Sequence, residues 1–146
     1  MKIEETIELA MQDIMQARTY ISTNSIPVVR YRDRLTSKGD EWVDCHAMPI
    51  DRQSPNHNKY RLTFELSAIS KSQSDLRSNE LDELIDECNE EIQQDLTPAA
   101  LQAAINTVDA NSDITVDGLI PTEGTEVDGE YQQFITSIDI FLTYTP

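Results

Sequence analysis

The sequence predicts an α+β domain, a mostly antiparallel sheet with an N-terminal helix and a central amphipathic helix packed against it. Three observations lead there. Residues 60–69, "YRLTFELSAI", alternate apolar and polar side chains. So do residues 133–145, "QFITSIDIFLTYT". Between them Leu81, Leu84, Ile85, Cys88, Ile92 and Leu96 recur at three- and four-residue steps, the stripe of a helix lying on a core. A chain of 146 residues is the size of one domain and can bury a core without staples, so 1–146 reads as a single unit.

Taken in order, residues 3–21 predict the first helix, with Ile3, Ile7, Ala10, Ile14, Ala17 and Ile21 as its apolar stripe. Glu4, Glu5 and Glu8 suit the positive end of its dipole. "TNSIP", 23–27, ends it. "VVRYRDR" follows as an extended piece that would set Arg30, Arg32 and Arg34 on one face. "WVDCHAMPI", 42–50, reads as a second strand, and 60–69 as a half-buried one showing Tyr60, Leu62, Phe64, Leu66 and Ala68 to the core. The helix over 79–96 has Ser78 or Asn79 as N-cap, and 97–105 is a short helix capped by Thr97 with Pro98 at its first position. In the tail Phe134, Thr136, Ile138, Ile140, Leu142 and Tyr144 share a face. A strand near 113–120 pairs with it through a long connection, "PTEGTEVDGEYQ".

The net charge is −16, and it is unevenly spread. Residues 1–77 hold all 11 Lys and Arg and 11 of the 27 acids, so they sum to zero; residues 78–146 hold 16 acids and no base. Such a surface repels nucleic acid, since phosphate binding needs basic contacts. Within 79–96, Asp82/Asp86, Glu83/Glu87, Asp86/Glu90 and Glu87/Glu91 are like-charge pairs four residues apart, each costing about 0.2–0.5 kcal/mol. Either packing overrides this cost or the acids meet bases elsewhere, with Arg30, Arg32 and Arg34 as the obvious candidates. No apolar run approaches a membrane span, and the N-terminus carries acids where a signal peptide carries bases, so the expectation is a soluble protein kept in a cytoplasm.

Several sites are worth weighing. "DANSDITVDGLI", 109–120, spaces Asp109, Asn111 and Asp113 like the first ligands of a calcium loop. An EF-hand needs Gly at its sixth position and Glu at its twelfth, and here those are Ile114 and Ile120. A frame beginning at Asp113 finds Gly118 sixth but Gly124 twelfth, so a strand start is the better reading. Asp44, Cys45 and His46 hold the ingredients of a thiol nucleophile, but neighbours on a strand point oppositely. Only His57 could then serve Cys45 as base, if the fold brought it there. No phosphate-binding glycine loop is present, and no cofactor, metal or catalytic set is expected.

The stretches "YRLTFELSAISKSQSDLRSNELDELIDECNEEI" and "ITVDGLIPTEGTEVDGEYQQFITSIDIFLTYT" together resemble the tail-terminator and tail-completion proteins of long-tailed bacteriophages. The likeness is one of element order over most of the chain, least in 23–59. It implies a strand leading into a helix packed on a sheet that the last strand closes. It implies a structural, non-enzymatic virion protein at the head–tail junction: a ring of copies, usually six, that ends the tail tube and meets neck or connector proteins while genomic DNA slides through unbound. Glu123, Glu126, Asp128 and Glu130 are then the candidates for a lumen or subunit-contact loop, Arg30, Arg32 and Arg34 are further interface candidates, and the neutral-to-basic and acidic halves of the chain supply the two unlike patches of a heterologous contact. A neck adaptor of similar fold, an acidic DNA mimic that inhibits a host enzyme, and a Cys45 hydrolase are the alternatives.

Overall fold

The computed structural model describes residues 2–31, 40–53, 58–71, 79–127, 129 and 131–145. Its elements are α1 (Ile3–Gln16), α2 (Thr19–Thr23), β1 (Val28–Arg30), β2 (Glu41–Ala47), β3 (Asp51–Arg52), β4 (Lys59–Ser70), α3 (Asn79–Glu90) with a π turn at Glu91–Asp95, α4 (Pro98–Val108), β5 (Ile114–Val127) and β6 (Gln132–Tyr144). The strands form one sheet in the order β1-β2-β4-β6-β5, with β3 on the end of β4. Every pairing is antiparallel except β1 with β2. The architecture is the α+β one anticipated.

The β4 and β6 ladder is the spine. It runs from Lys59↔Thr143 to Ser70↔Gln132 without a break. Because side chains alternate, register alone sorts the two faces. Leu62, Phe64, Leu66 and Ala68 of β4 meet Ile140, Ile138, Thr136 and Phe134 of β6 on the core face. Cys45 and Val43 of β2 extend that face through Leu66 and Ala68. Against it lie Ile7, Met11 and Met15 of α1, Leu81, Leu84 and Cys88 of α3, and Leu101 and Ile105 of α4, all at most 1% exposed.

Four expectations shift. The first helix is not continuous to residue 21. It stops at Gln16, Arg18 takes an extended conformation (φ −67°, ψ 137°), and α2 restarts at Thr19. Its buried stripe also drifts to Met11 and Met15, leaving Ile14 half-buried and Ala17 exposed, since Ile3, Ile7, Met11 and Met15 follow the i+4 row. The last strand does not close the sheet: β6 lies inside it and β5 forms the edge. And the expected long connection after Ile120 is itself strand, with β5 continuing to Val127 through register shifts at 116–118 and 122–125. Pro121 and the nearby glycines read as turn residues, yet an edge strand tolerates proline and bulges use glycine.

Thr97 caps α4 as anticipated, its hydroxyl accepting from Ala100 N–H at 3.1 Å. Asn79 lies inside α3, while Ser78 falls outside the described residues.

Gly124 sits in the second bulge of β5, where an added Cβ would run into the Phe134 ring. Around Gly118 nothing lies within 4 Å of an added Cβ. Gly124→Ala should therefore lower the denaturant midpoint by the equivalent of about 1–3 kcal/mol as the ring is displaced. Gly118→Ala should stay within about 0.5 kcal/mol of the parent. Equal midpoints for the two variants would contradict this account.

Candidate interaction surface

The acids of α3 do meet a base, but the base is Arg18. The chain breaks between α1 and α2, and the side chain there crosses to the far end of α3. Its Nε donates to Glu87 at 2.5 Å, one terminal nitrogen to Glu91 at 2.8 Å and Asp95 at 2.9 Å, and the other to Glu90 at 3.1 Å. Burial works against the guanidinium charge, but the bonds to Glu87, Asp95 and Glu91 outweigh it and raise its pKa. One cation facing four carboxylates leaves the cluster net negative. Glu91, 8% exposed in its side chain, bears the consequence: burial first, then the charges of Asp95 and Glu87, raise its pKa despite the Arg18 bond.

Arg30 serves a different pair. Glu8, fully buried on α1, accepts from Arg30 Nε at 3.2 Å and from the Ala47 backbone N–H at 3.0 Å. Glu5 lies 3.8 Å from the same guanidinium. Glu8 thus ties α1 to β1 and the end of β2 rather than serving the helix dipole. Arg30 is neither the partner of the acidic helix nor an outward patch. Arg32 and Arg34 lie outside the described residues, as do Asp128 and Glu130.

Glu123 and Glu126 are exposed on β5. Glu123 borders an open groove of about 580 Å³ between β5 and the α3 end, with Asp86 and Glu90 opposite and Asn89, Gln93 and Gln94 along it. The neutral and acidic halves of the sequence do not form two separate patches, because β4 from one pairs directly with β6 from the other.

The sheet face away from the helices is where apolar surface shows. Phe141 and Ile135 of β6 are half-buried there, and Ile120 on β5 is 57% exposed. Gly118, opposite Phe141, puts no side chain beside the ring on the β5 side. A polar rim surrounds them. Thr63 donates to Asp139 at 2.7 Å, Arg61 pairs with Asp51 at 3.1 Å, and Asp117 accepts from Thr143 at 2.6 Å and lies 3.4 Å from Lys59 Nζ. Toward the other end the same face closes over, where Trp42 donates to Asp44 at 3.0 Å with both buried.

Cys45 points into the core and is fully buried. Burial above all, with Cys88, Asp44 and Glu8 adding to it, pushes its thiol well up. Burial likewise pushes Cys88 up to about 12, against the pull of Arg18. His46 stacks on Tyr31, ring centroids 4.0 Å apart, and His57 lies outside the described residues. A buried thiol with a raised pKa is a poor nucleophile. In 109–120, Asp109 turns the chain by accepting from Asn111 N–H at 3.0 Å, and Ile114 and Val116 then point inward as strand residues. Among the described residues no group of three or more His, Cys, Asp or Glu is arranged to hold a metal ion, and no helix is long and apolar enough to cross a membrane.

No known protein family matches this chain, and neither does any curated protein. Sequence reasoning passed over Arg18, Ile120 and Phe141. Arg18 had one signal: it is the only base between Lys2 and Arg30.

Arg18→Ala should cost roughly 2–3 kcal/mol in urea unfolding. That is less than for a fully buried pair, because Glu90 and Asp95 are 54% and 55% exposed. Arg18→Lys should recover only part of it, since one ammonium cannot span the fork. Because the Glu91 pKa is raised on folding, its contribution to stability is present below the ordinary carboxylate pKa and lost as pH rises through the folded value. Glu91→Gln should therefore match or exceed the parent at neutral pH, with the difference closing as pH falls. A parent that is the more stable at pH 7 would refute the sign.

Proposed function

We propose that this chain is a structural subunit of a ring that ends the tail tube of a long-tailed bacteriophage and joins it to the neck. The observation that carries the reading is the one-sided sheet. Helices cover one face, and the other offers Ile120, Ile135 and Phe141 inside a charged and hydroxylated rim. An apolar centre with a polar rim is the anatomy of a subunit contact. The order of helix, strands, acidic helix and long terminal hairpin supports the same reading. The work is assembly, and it needs neither cofactor nor catalytic group.

In a cyclic ring this face meets a different surface of the neighbouring copy. Glu123 and Glu126, exposed on β5, face the DNA path or the next subunit, and their charge keeps phosphate from sticking. A DNA mimic fits less well. Glu87, Glu90, Glu91 and Asp95 are turned onto Arg18 and cannot stand in for a row of phosphates.

Light scattering on the purified protein should give one discrete higher oligomer, six copies being the expected number; a monomer or dimer alone would sink the ring. Ile120→Glu should lower that mass without moving the melting temperature by more than about 2 °C, since the side chain is already largely in water. Particles assembled without the protein should carry tails of irregular length. Normal tails detached from filled heads would instead identify a neck adaptor.

A further inference from the structure

We propose that Gln102, with Gln93, blocks the outer edge of β5 against strand addition by a second copy of this chain. An edge strand presents unpaired backbone N–H and C=O groups that another strand can take, and proteins that stay discrete must hide them. On β5 the hiding is done by side-chain amides. The pairing of Thr115 with Thr143, and the Thr145 N–H bond to Asp113 C=O at 3.1 Å, use the groups that face β6. The backbone of Ile114 and Val116 therefore points outward. Gln102 reaches from α4 and takes both: its Nε2 donates to Ile114 C=O at 2.9 Å, and its Oε1 accepts from Val116 N–H at 2.7 Å. A carboxamide carries the same donor and acceptor as a peptide unit. These are the two bonds that one residue of an incoming parallel strand would make, and an antiparallel strand would need the same two groups, each for a different one of its residues. Asn106, accepting from Gln102 Nε2 at 3.2 Å, helps hold the amide in place.

Further along, Gln93 Nε2 donates to Thr122 C=O at 2.7 Å, and Pro121 between the two sites has no N–H to offer. The opposite edge is treated alike, with Gln12 of α1 donating to Val28 C=O at 2.7 Å. The strand being withheld is the matching β5 of a second copy. "ITV" at the start of β5 is β-branched throughout, and two such edges can pair antiparallel about a twofold axis. This block is distinct from the apolar contact proposed for the ring, because Ile120, Ile135 and Phe141 lie on the open sheet face while the blocked groups are backbone atoms at its edge.

The test is the double variant Gln102→Ala, Gln93→Ala in the full chain, compared with the parent by light scattering over a concentration series. The expected result is a species of about twice the parent mass that grows with concentration. Adding Val116→Pro, which deletes the outward N–H, should return the parent mass. A folded double variant with unchanged mass at every concentration overturns the proposal. Hydrogen exchange on the parent tests it without any substitution. The Val116 amide should exchange within about tenfold of the Thr115 amide, and exchange at the rate of an open edge would overturn the block.

Discussion

An acidic helix with no base of its own folds onto this body because one guanidinium is brought to it. Arg18 binds Glu87, Glu90, Glu91 and Asp95 together, and that contact fixes where α3 ends. Much follows from that position. The π turn closes with the Leu96 N–H on Glu91 C=O, and Ile92 and Leu96 reach the core. Thr97 then starts α4, which carries Leu101 inward and Gln102 to the sheet edge. The break between α1 and α2 belongs to the same constraint. Ala17 and Arg18 are good helix formers, and local propensity gives no reason to stop there. The tertiary demand for a cation at the end of α3 prevails over it.

This explains which parts of the structure were legible in the residues. The β4, β6 and α3 patterns were clear because each buries one face, and burial writes a period into the sequence. Thr97 was clear because capping needs a particular side chain at one place. The α1 break was not, since its cause lies some seventy positions away on α3. The length of β5 was hidden by Pro121, Gly118 and Gly124, whose ordinary meaning is a turn; only the position of a strand within its sheet makes them tolerable. The candidate surface was half-legible. Glu123 and Glu126 are exposed on the predicted stretch. The Arg30 assignment failed because a row of like charges in sequence says nothing about which carboxylate any one of them will find, and Arg30 found the buried Glu8.

The molecule treats its edges and its open face in opposite ways. Backbone groups on both outer strands are given to glutamine side chains, while Ile120 stands largely in solvent on the open face. Association through backbone edges is indifferent to side chains and tends to continue without limit. Association through a shaped, rimmed face is selective and stops when the symmetry closes. Surfaces arranged this way favour a counted assembly over a fibre.

The interior place of β6 bears on how the chain reaches its fold at all. Thr63 and its partner Asp139 stand 76 positions apart, so β4 and β6 meet only after almost everything between them has left the ribosome. Until then β4 has a vacant side, and the helices have only part of a floor to rest on. Vectorial synthesis therefore cannot complete this domain piece by piece. Its final ordering waits for the C-terminal hairpin, and a product stalled or cut within that hairpin would leave β4, with its inward Leu62, Phe64 and Leu66, open to whatever it meets.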